Sequence, residues 1–324
     1  MCASIGVSAD ARLAFCFPGQ GSQAVGMGRA FHDASAAARA VFEEASDALG
    51  IDIAKLCFEG PESELQLTAN TQPAILATSV AAARALAARG VKPHWVAGHS
   101  LGEYSALVAA GVLSLRDAVV AVRRRGQYMQ EAVPVGEGAM AAILALDLAA
   151  IEQACREAAQ GQVVSPANIN SPGQVVIAGH ASAVDRASEL CKKAGAKRAI
   201  RLPVSAPFHC ALMMPAQERL ARDLGALSFA APAMPLVNNV DATVVRAADA
   251  CRDGLVRQVS ATVRWQESVQ RLAREGVDTF VEVGPGTVLS GLVKKIDKNV
   301  RVLSVEDPAS LEATAAALQE RQTA

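Results

Sequence analysis

The sequence predicts an α/β protein: a mostly parallel sheet covered by helices on both faces, interrupted by a smaller β-α-β-β-α-β unit. Three observations predict it. Short apolar runs at 13–17, 95–97, 279–283 and 300–304 alternate with Ala-rich helical stretches, as strands buried on both faces do. Glycine turns, Pro18-Gly19-Gln20-Gly21-Ser22-Gln23, Gly98-His99-Ser100-Leu101-Gly102 and Gly284-Pro285-Gly286, each join such a run to the next segment. Between 133 and 205 the order of elements changes to strand, helix, hairpin, helix, strand, which is the ferredoxin-like unit. The expected domains are therefore 1–132 with 207–324, and an inserted 133–206.

In order, residues 13–17 form a strand and 34–49 a helix, followed at 61–90 by a turn and a long Ala-rich helix with Pro73 in its first turn. A strand at 95–97 leads through the glycine turn into a helix at 103–110. The next helix, 114–132, is capped by Ser114 and carries Arg123-Arg124-Arg125. Neighbours on a helix diverge by about 100°, so the three arginines cannot share a face and one can point inward. The inserted unit reads as strand 139–146, helix 148–160, hairpin 163–168 and 174–178 through Asn170-Ser171-Pro172-Gly173, helix 183–194 and strand 199–204. Then follow a helix at 211–224, a strand at 235–239, a broken helical stretch at 249–275, the strand at 279–283, a helix from Thr287, the strand at 300–304 and a closing helix at 310–320.

At 324 residues, 51% hydrophobic and 19% charged, the chain reads as a globular protein large enough for two cores. A formal charge of -1 argues against general nucleic-acid binding, so a charged partner must meet a local patch. Residues 1–12 lack a basic start followed by an apolar run, and the most apolar stretch, 74–88, is interrupted by Arg84. No membrane span is expected, and the cytoplasm is the expected location. The seven cysteines (Cys2, Cys16, Cys57, Cys155, Cys191, Cys210, Cys251) contain no C-x-x-C pair, which suits reduced buried thiols rather than a zinc site or disulfides.

Gly98-His99-Ser100-Leu101-Gly102, with a strand before it and a helix after it, has the form of a nucleophile elbow, which lifts the serine hydroxyl above the sheet. Gly19-Gln20-Gly21-Ser22-Gln23-Ala24 also fits G-x-G-x-x-A. The helix at 34–49 stands where that reading needs a second strand ending in an acid, so the loop is read as an oxyanion contributor, not a nucleotide site. A serine needs a base. Of five histidines, His32 and His180 read as surface residues, His94 lies at the far end of the strand, and His99 reads as structural. His209, in Ala206-Pro207-Phe208-His209-Cys210 where the inserted unit returns to the main chain, is the best base.

Together Phe17-Pro18-Gly19-Gln20-Gly21-Ser22-Gln23, Gly98-His99-Ser100-Leu101-Gly102-Glu103-Tyr104, Ala206-Pro207-Phe208-His209 and Glu282-Val283-Gly284-Pro285-Gly286 resemble the malonyl-CoA:acyl-carrier-protein transacylase family over residues 13–305. The resemblance implies a hydrolase-like large domain with the ferredoxin-like insertion. It implies Ser100 as nucleophile and His209 as base, with the imidazole oriented by a backbone carbonyl at Gln258. It implies an oxyanion hole from the amides of Gln20 and Leu101, and Arg125 as the grip on the malonyl carboxylate. Phe208 is similar to the phenylalanine of malonyl-specific polyketide domains and, with Leu101, implies malonyl over methylmalonyl.

The implied reaction is ping-pong malonyl transfer from malonyl-CoA to the thiol of acyl carrier protein, for fatty-acid synthesis or alternatively polyketide synthesis, with no metal or redox cofactor required. Such carriers are acidic, and Lys192, Lys193, Lys197, Arg198 and Arg201 are the expected patch. Two rivals remain: a serine acyl hydrolase, for which Asp253-Gly254 is the nearest acid motif though it reads as a local turn, and a silent scaffold that only binds carriers.

Overall fold

The computed structural model describes residues 12–204 and 206–319. The leader reading at 1–12, apart from Arg12, lies outside the described residues, as do Cys2, Ser205 of the expected insertion and Glu320, the last residue of the expected closing helix. The chain begins with β1 (Arg12–Phe17), α1 (Arg29–Ala34), α2 (Ala36–Leu49), α3 (Ile53–Glu59), α4 (Glu62–Leu65), α5 (Thr68–Ala88), β2 (Trp95–Gly98), α6 (Gly102–Ala109) and α7 (Leu115–Glu131). The second sheet follows, with β3 (Gly138–Leu144), α8 (Leu148–Ala159), β4 (Val164–Ser171), β5 (Gln174–His180), α9 (Ala181–Lys193) and β6 (Arg198–Arg201). After a 3-10 turn come α10 (Met214–Gly225), β7 (Leu236–Val237), β8 (Val244–Val245), α11 (Ala248–Gln258) and α12 (Trp265–Arg274). The chain closes with β9 (Val277–Val283), α13 (Val288–Ile296), β10 (Arg301–Val305) and α14 (Pro308–Gln319).

The larger sheet has the order β10-β9-β1-β2-β7-β8. Every pair is parallel except β7 with β8. Period-2 alternation divides its side chains between two cores: Leu13, Phe15, Phe17 and Val96 face one, Ala14, Cys16, Trp95 and Ala97 the other. With both faces covered, the strands read as unbroken apolar runs. The C-terminal ends of the neighbouring strands β9, β1, β2 and β7 lie side by side, and the glycine turns emerge there. That edge is where open α/β sheets form ligand crevices.

The smaller sheet, β4-β5-β3-β6, is antiparallel throughout, the strand order of a ferredoxin-like unit. Ala139, Ala141 and Ile143 of β3 pack against α8 and α9, while Met140 joins the core of the larger sheet. Ile169 donates its amide to the Val263 carbonyl at 2.9 Å, and Val263 donates to Ala167 at 2.8 Å. This ties edge strand β4 to the segment between α11 and α12.

Several elements differ from the sequence reading for local reasons. The helix expected at 34–49 begins at Ala36, because extended Ser35 caps it by accepting the Ala38 amide, and α1 precedes it separately. Helix α3, capped by Asp52, was not anticipated. Pro73 is not a first-turn proline; it lies inside α5, which forgoes one backbone hydrogen bond there. The hairpin loop is Pro172-Gly173 alone, since β4 extends to Ser171. The strand expected at 199–204 is Arg198–Arg201, and the one at 235–239 contracts to Leu236–Val237 paired with the unforeseen β8. Asp253-Gly254 is interior to α11 rather than a turn, with Asp253 paired to Arg257.

Candidate active site

Ser100 stands at the turn from β2 into α6 with a left-handed φ of 52°. Such a backbone is costly for serine and persists only where its surroundings fix it. The flanking glycines make the turn possible: a Cβ on Gly98 would lie 2.0 Å from the Gly102 carbonyl, and one on Gly102 2.0 Å from the Phe17 oxygen. The His99 amide donates to that Phe17 oxygen at 3.0 Å, binding the elbow to the end of β1.

The Ser100 hydroxyl lies 2.7 Å from Nε2 of His209, and Nδ1 of that ring lies 2.9 Å from the backbone oxygen of Gln258. A carbonyl only accepts, so Nδ1 carries the proton. Nε2 is left as the acceptor for the hydroxyl proton, the tautomer a base requires. Burial, reinforced by the Arg125 guanidinium, pushes His209 down to about 3, so the ring is neutral at ordinary pH.

Arg125 is the inward member of the arginine triplet, 1% exposed on α7, whereas Arg124 reaches Asp223 on the surface. Its Nη1 donates to Gln72 Oε1 at 2.9 Å. Its Nη2 donates to Gln258 Oε1 at 2.9 Å and to Ser100 Oγ at 3.1 Å. No carboxylate is within ion-pairing distance among the described residues, and Nε has no partner there. Burial lowers its pKa. A guanidinium held by neutral amides keeps the ability to pair with an incoming anion.

The Leu101 and Gln20 amides make no hydrogen bond within the chain among the described residues, whereas the Ser100 amide is taken by Asn239 Oδ1 at 2.7 Å. Gln20 is anchored through its side chain to Thr68 at 3.3 Å. Gln258 is fully buried. Phe208 is buried beside His209 in the main core. His99 turns away, bonding Asn170 at 2.8 Å and meeting the Trp265 ring edge-on. Lys192, Lys193, Lys197, Arg198 and Arg201 are all exposed; Lys192 pairs with Glu189 and Arg201 with Asp185.

Sequence reasoning missed three residues: Gln72, Asn239 and Glu103. Asn239 fastens the elbow twice, its Nδ2 also donating to the Gly98 oxygen at 2.7 Å. Glu103 is buried, and desolvation raises it to about 7 against the opposing hydrogen bonds from Asn239 and Gln258. Its legible signal was a charged residue at the start of an apolar helix, three positions after the nucleophile.

Residues 14–321 match the family model for the acyl transferase domain. The chain is 54% identical over 303 residues to the malonyl CoA-acyl carrier protein transacylase of Escherichia coli, covering 93% of this chain and 98% of that protein. The structure of an acyl carrier protein S-malonyltransferase from Vibrio cholerae superposes with a TM-score of 0.92 at 51% identity, covering 94% of this chain and all of that one. A malonyl-transacylase solved in complex with a type II polyketide-synthase acyl-carrier protein gives 0.93 at 50% identity, over 95% and 100% of the two chains. A family match over nearly the whole length, on the elbow geometry described above, shows that the chain belongs to the acyl transferase domain family.

Proposed function

We propose that this protein moves a malonyl group from malonyl-CoA to the phosphopantetheine thiol of an acyl carrier protein through an ester on Ser100. One observation carries the reading: a buried guanidinium, with no carboxylate at ion-pairing distance among the described residues, stands 3.1 Å from the nucleophilic oxygen. In a malonyl ester the free carboxylate lies two C–C bonds beyond the ester carbon, at about 1.5 Å per bond. Arg125 is therefore within reach of it. An acetyl group offers nothing for that fork to bind.

In the first half-reaction Nε2 of His209 takes the Ser100 proton as Oγ attacks the thioester carbon. The amides of Gln20 and Leu101 hold the resulting oxyanion, each such donor being worth about 10²–10³ in rate. The tetrahedral adduct collapses, the C–S bond breaks, and the imidazolium returns the proton to the coenzyme A sulfur. In the second half His209 deprotonates the carrier thiol, which attacks the ester carbon; the C–O bond to Ser100 then breaks and the imidazolium returns the proton to Oγ. The Gln258 carbonyl keeps Nδ1–H in place throughout. Burial is the main depression of the imidazole and the Arg125 charge adds to it, so a malonyl carboxylate on Arg125 offsets only that smaller part.

The nearest rival, a serine hydrolase, places a carboxylate behind the histidine; here Nδ1 meets a backbone carbonyl. Malonyl-CoA consumption with and without holo carrier protein tests the choice. Transfer predicts slow consumption alone and fast stoichiometric malonyl-carrier formation with the carrier; equal rates in both would make the protein a hydrolase. We assign the carrier to fatty-acid synthesis. A polyketide carrier is the second reading, favoured by the carrier complex of the 50% identical relative. We place the reaction in the cytoplasm, a setting that suits six buried free thiols, and no helix among the described residues is long and apolar enough to cross a membrane. Residues 133–206 are taken as an inserted domain that roofs the crevice and brings the exposed basic patch to the carrier.

A further inference from the structure

We propose that Glu103 is a positioning residue for this transfer, the carboxylate that sets hydroxyl, imidazole and guanidinium in one register. The proposal rests on the function proposed above. Glu103 lies in the first turn of α6 and is 1% exposed. A buried carboxylate is costly unless its oxygens are well used. Its Oε2 accepts the Asn239 amide at 2.9 Å and Gln258 Nε2 at 2.8 Å, groups from two other segments of the chain. It is therefore a clasp between segments rather than a cap on its own helix.

The residues bearing hydroxyl, imidazole and guanidinium each connect to at least one of those two residues. Asn239 holds the Ser100 amide and the Gly98 oxygen at 2.7 Å each. Gln258 Nε2 also donates to the Ser100 carbonyl at 3.0 Å, and the Gln258 backbone oxygen orients His209 at 2.9 Å. Gln258 Oε1 accepts from Arg125 at 2.9 Å. The sense of this amide matters. With Nε2 drawn to the carboxylate, the oxygen must face the guanidinium; turned over, it would set donor against donor at Arg125 and acceptor against acceptor at Glu103. Glu103 touches no reacting atom itself. The charged and titratable groups bearing on it are Arg125 of α7, Asp241 after β7, Cys251 of α11 and its own neighbour Tyr104.

Two conservative variants of the full chain test the proposal. Glu103→Gln keeps the reach and one acceptor oxygen but removes the charge. Glu103→Asp keeps the charge but withdraws the oxygens by one C–C bond, about 1.5 Å. Displacement on that scale at a positioned site costs about 10² in rate. The readouts are single-turnover acylation by malonyl-CoA, followed by intact mass, and inactivation of Ser100 by phenylmethylsulfonyl fluoride, which needs no malonyl group. The expected order is wild type, then Gln, then Asp. Asp should lose about 100-fold in kcat with KM for malonyl-CoA changed by less than about threefold, and sulfonylation should slow in parallel. An Asp variant as fast as the Gln variant, or one slowed only through KM with sulfonylation unchanged, would overturn the proposal. Wild-type protein that is sulfonylated but never malonylated would instead overturn the proposed function, and the sulfonylation order would still decide the role of Glu103.

Discussion

Replacing Arg125 by alanine separates recognition of the acyl group from the chemistry at Ser100. The guanidinium offers a malonyl carboxylate two charge-assisted hydrogen bonds, each worth about 1.5–3 kcal/mol. Losing both costs about 3–6 kcal/mol, or roughly 10²–10⁴ in kcat/KM for malonyl-CoA. Acetyl-CoA makes neither bond and loses neither. It also escapes the depression that Arg125 imposes on His209, so its acylation rate should hold or rise. The assay is coenzyme A release from each ester with holo carrier protein as acceptor. The malonyl-to-acetyl preference should fall by about 10² or more. If both esters slowed by the same factor, Arg125 would be a structural support of the dyad and the specificity argument would fail.

The remaining predictions concern the base, the acyl pocket and the carrier. Because His209 is held down to about 3, acylation should show no fall where an ordinary histidine protonates, near 6.5; a fall there that persists in Glu103→Gln would contradict the buried base. The same burial has a stability consequence. The unfolded imidazole takes a proton below 6.5 and the native one does not, so stability drains as pH drops from 6.5 toward 3. Glu103 contributes with the opposite sign: its native carboxyl binds a proton more readily, which adds stability below 4.5 that is lost as pH rises through about 7. Thermal melts across this range should lose less on the acid side in His209→Gln. Phe208→Ser should raise methylmalonyl turnover by about 10-fold or more, the worth of one methyl in a pocket; unchanged turnover removes the steric argument. Charge reversal at Lys193, Lys197 and Arg198 should slow transfer to the carrier and leave acylation intact, an effect that weakens with salt; equal transfer rates at low salt would remove the patch.

The parallel sheet was legible because its strands are short apolar runs between amphipathic helices, and the insertion because its element order is distinctive. Ser100 and His209 were legible from local context, glycines around one and a domain junction at the other. Arg125 could be chosen from its neighbours only through family resemblance, since helix geometry says that one of three arginines can face inward but not which. Gln72 and Asn239 were missed because nothing local distinguishes them, and Glu103 because its one local mark, a charge at the start of an apolar helix, does not say what it bonds. Their roles arise from hydrogen bonds spanning 53 to 155 residues of sequence. Strands β7 and β8, two residues each, are too short to carry a periodic signal.

The most direct test is the mass of the protein after brief exposure to malonyl-CoA, with the site located by peptide mapping. A single adduct of about 86 Da is expected on Ser100, absent in Ser100→Ala and discharged far faster by holo carrier protein than by water. An unmodified protein that still moves malonyl groups, or an adduct on any other residue, would contradict it.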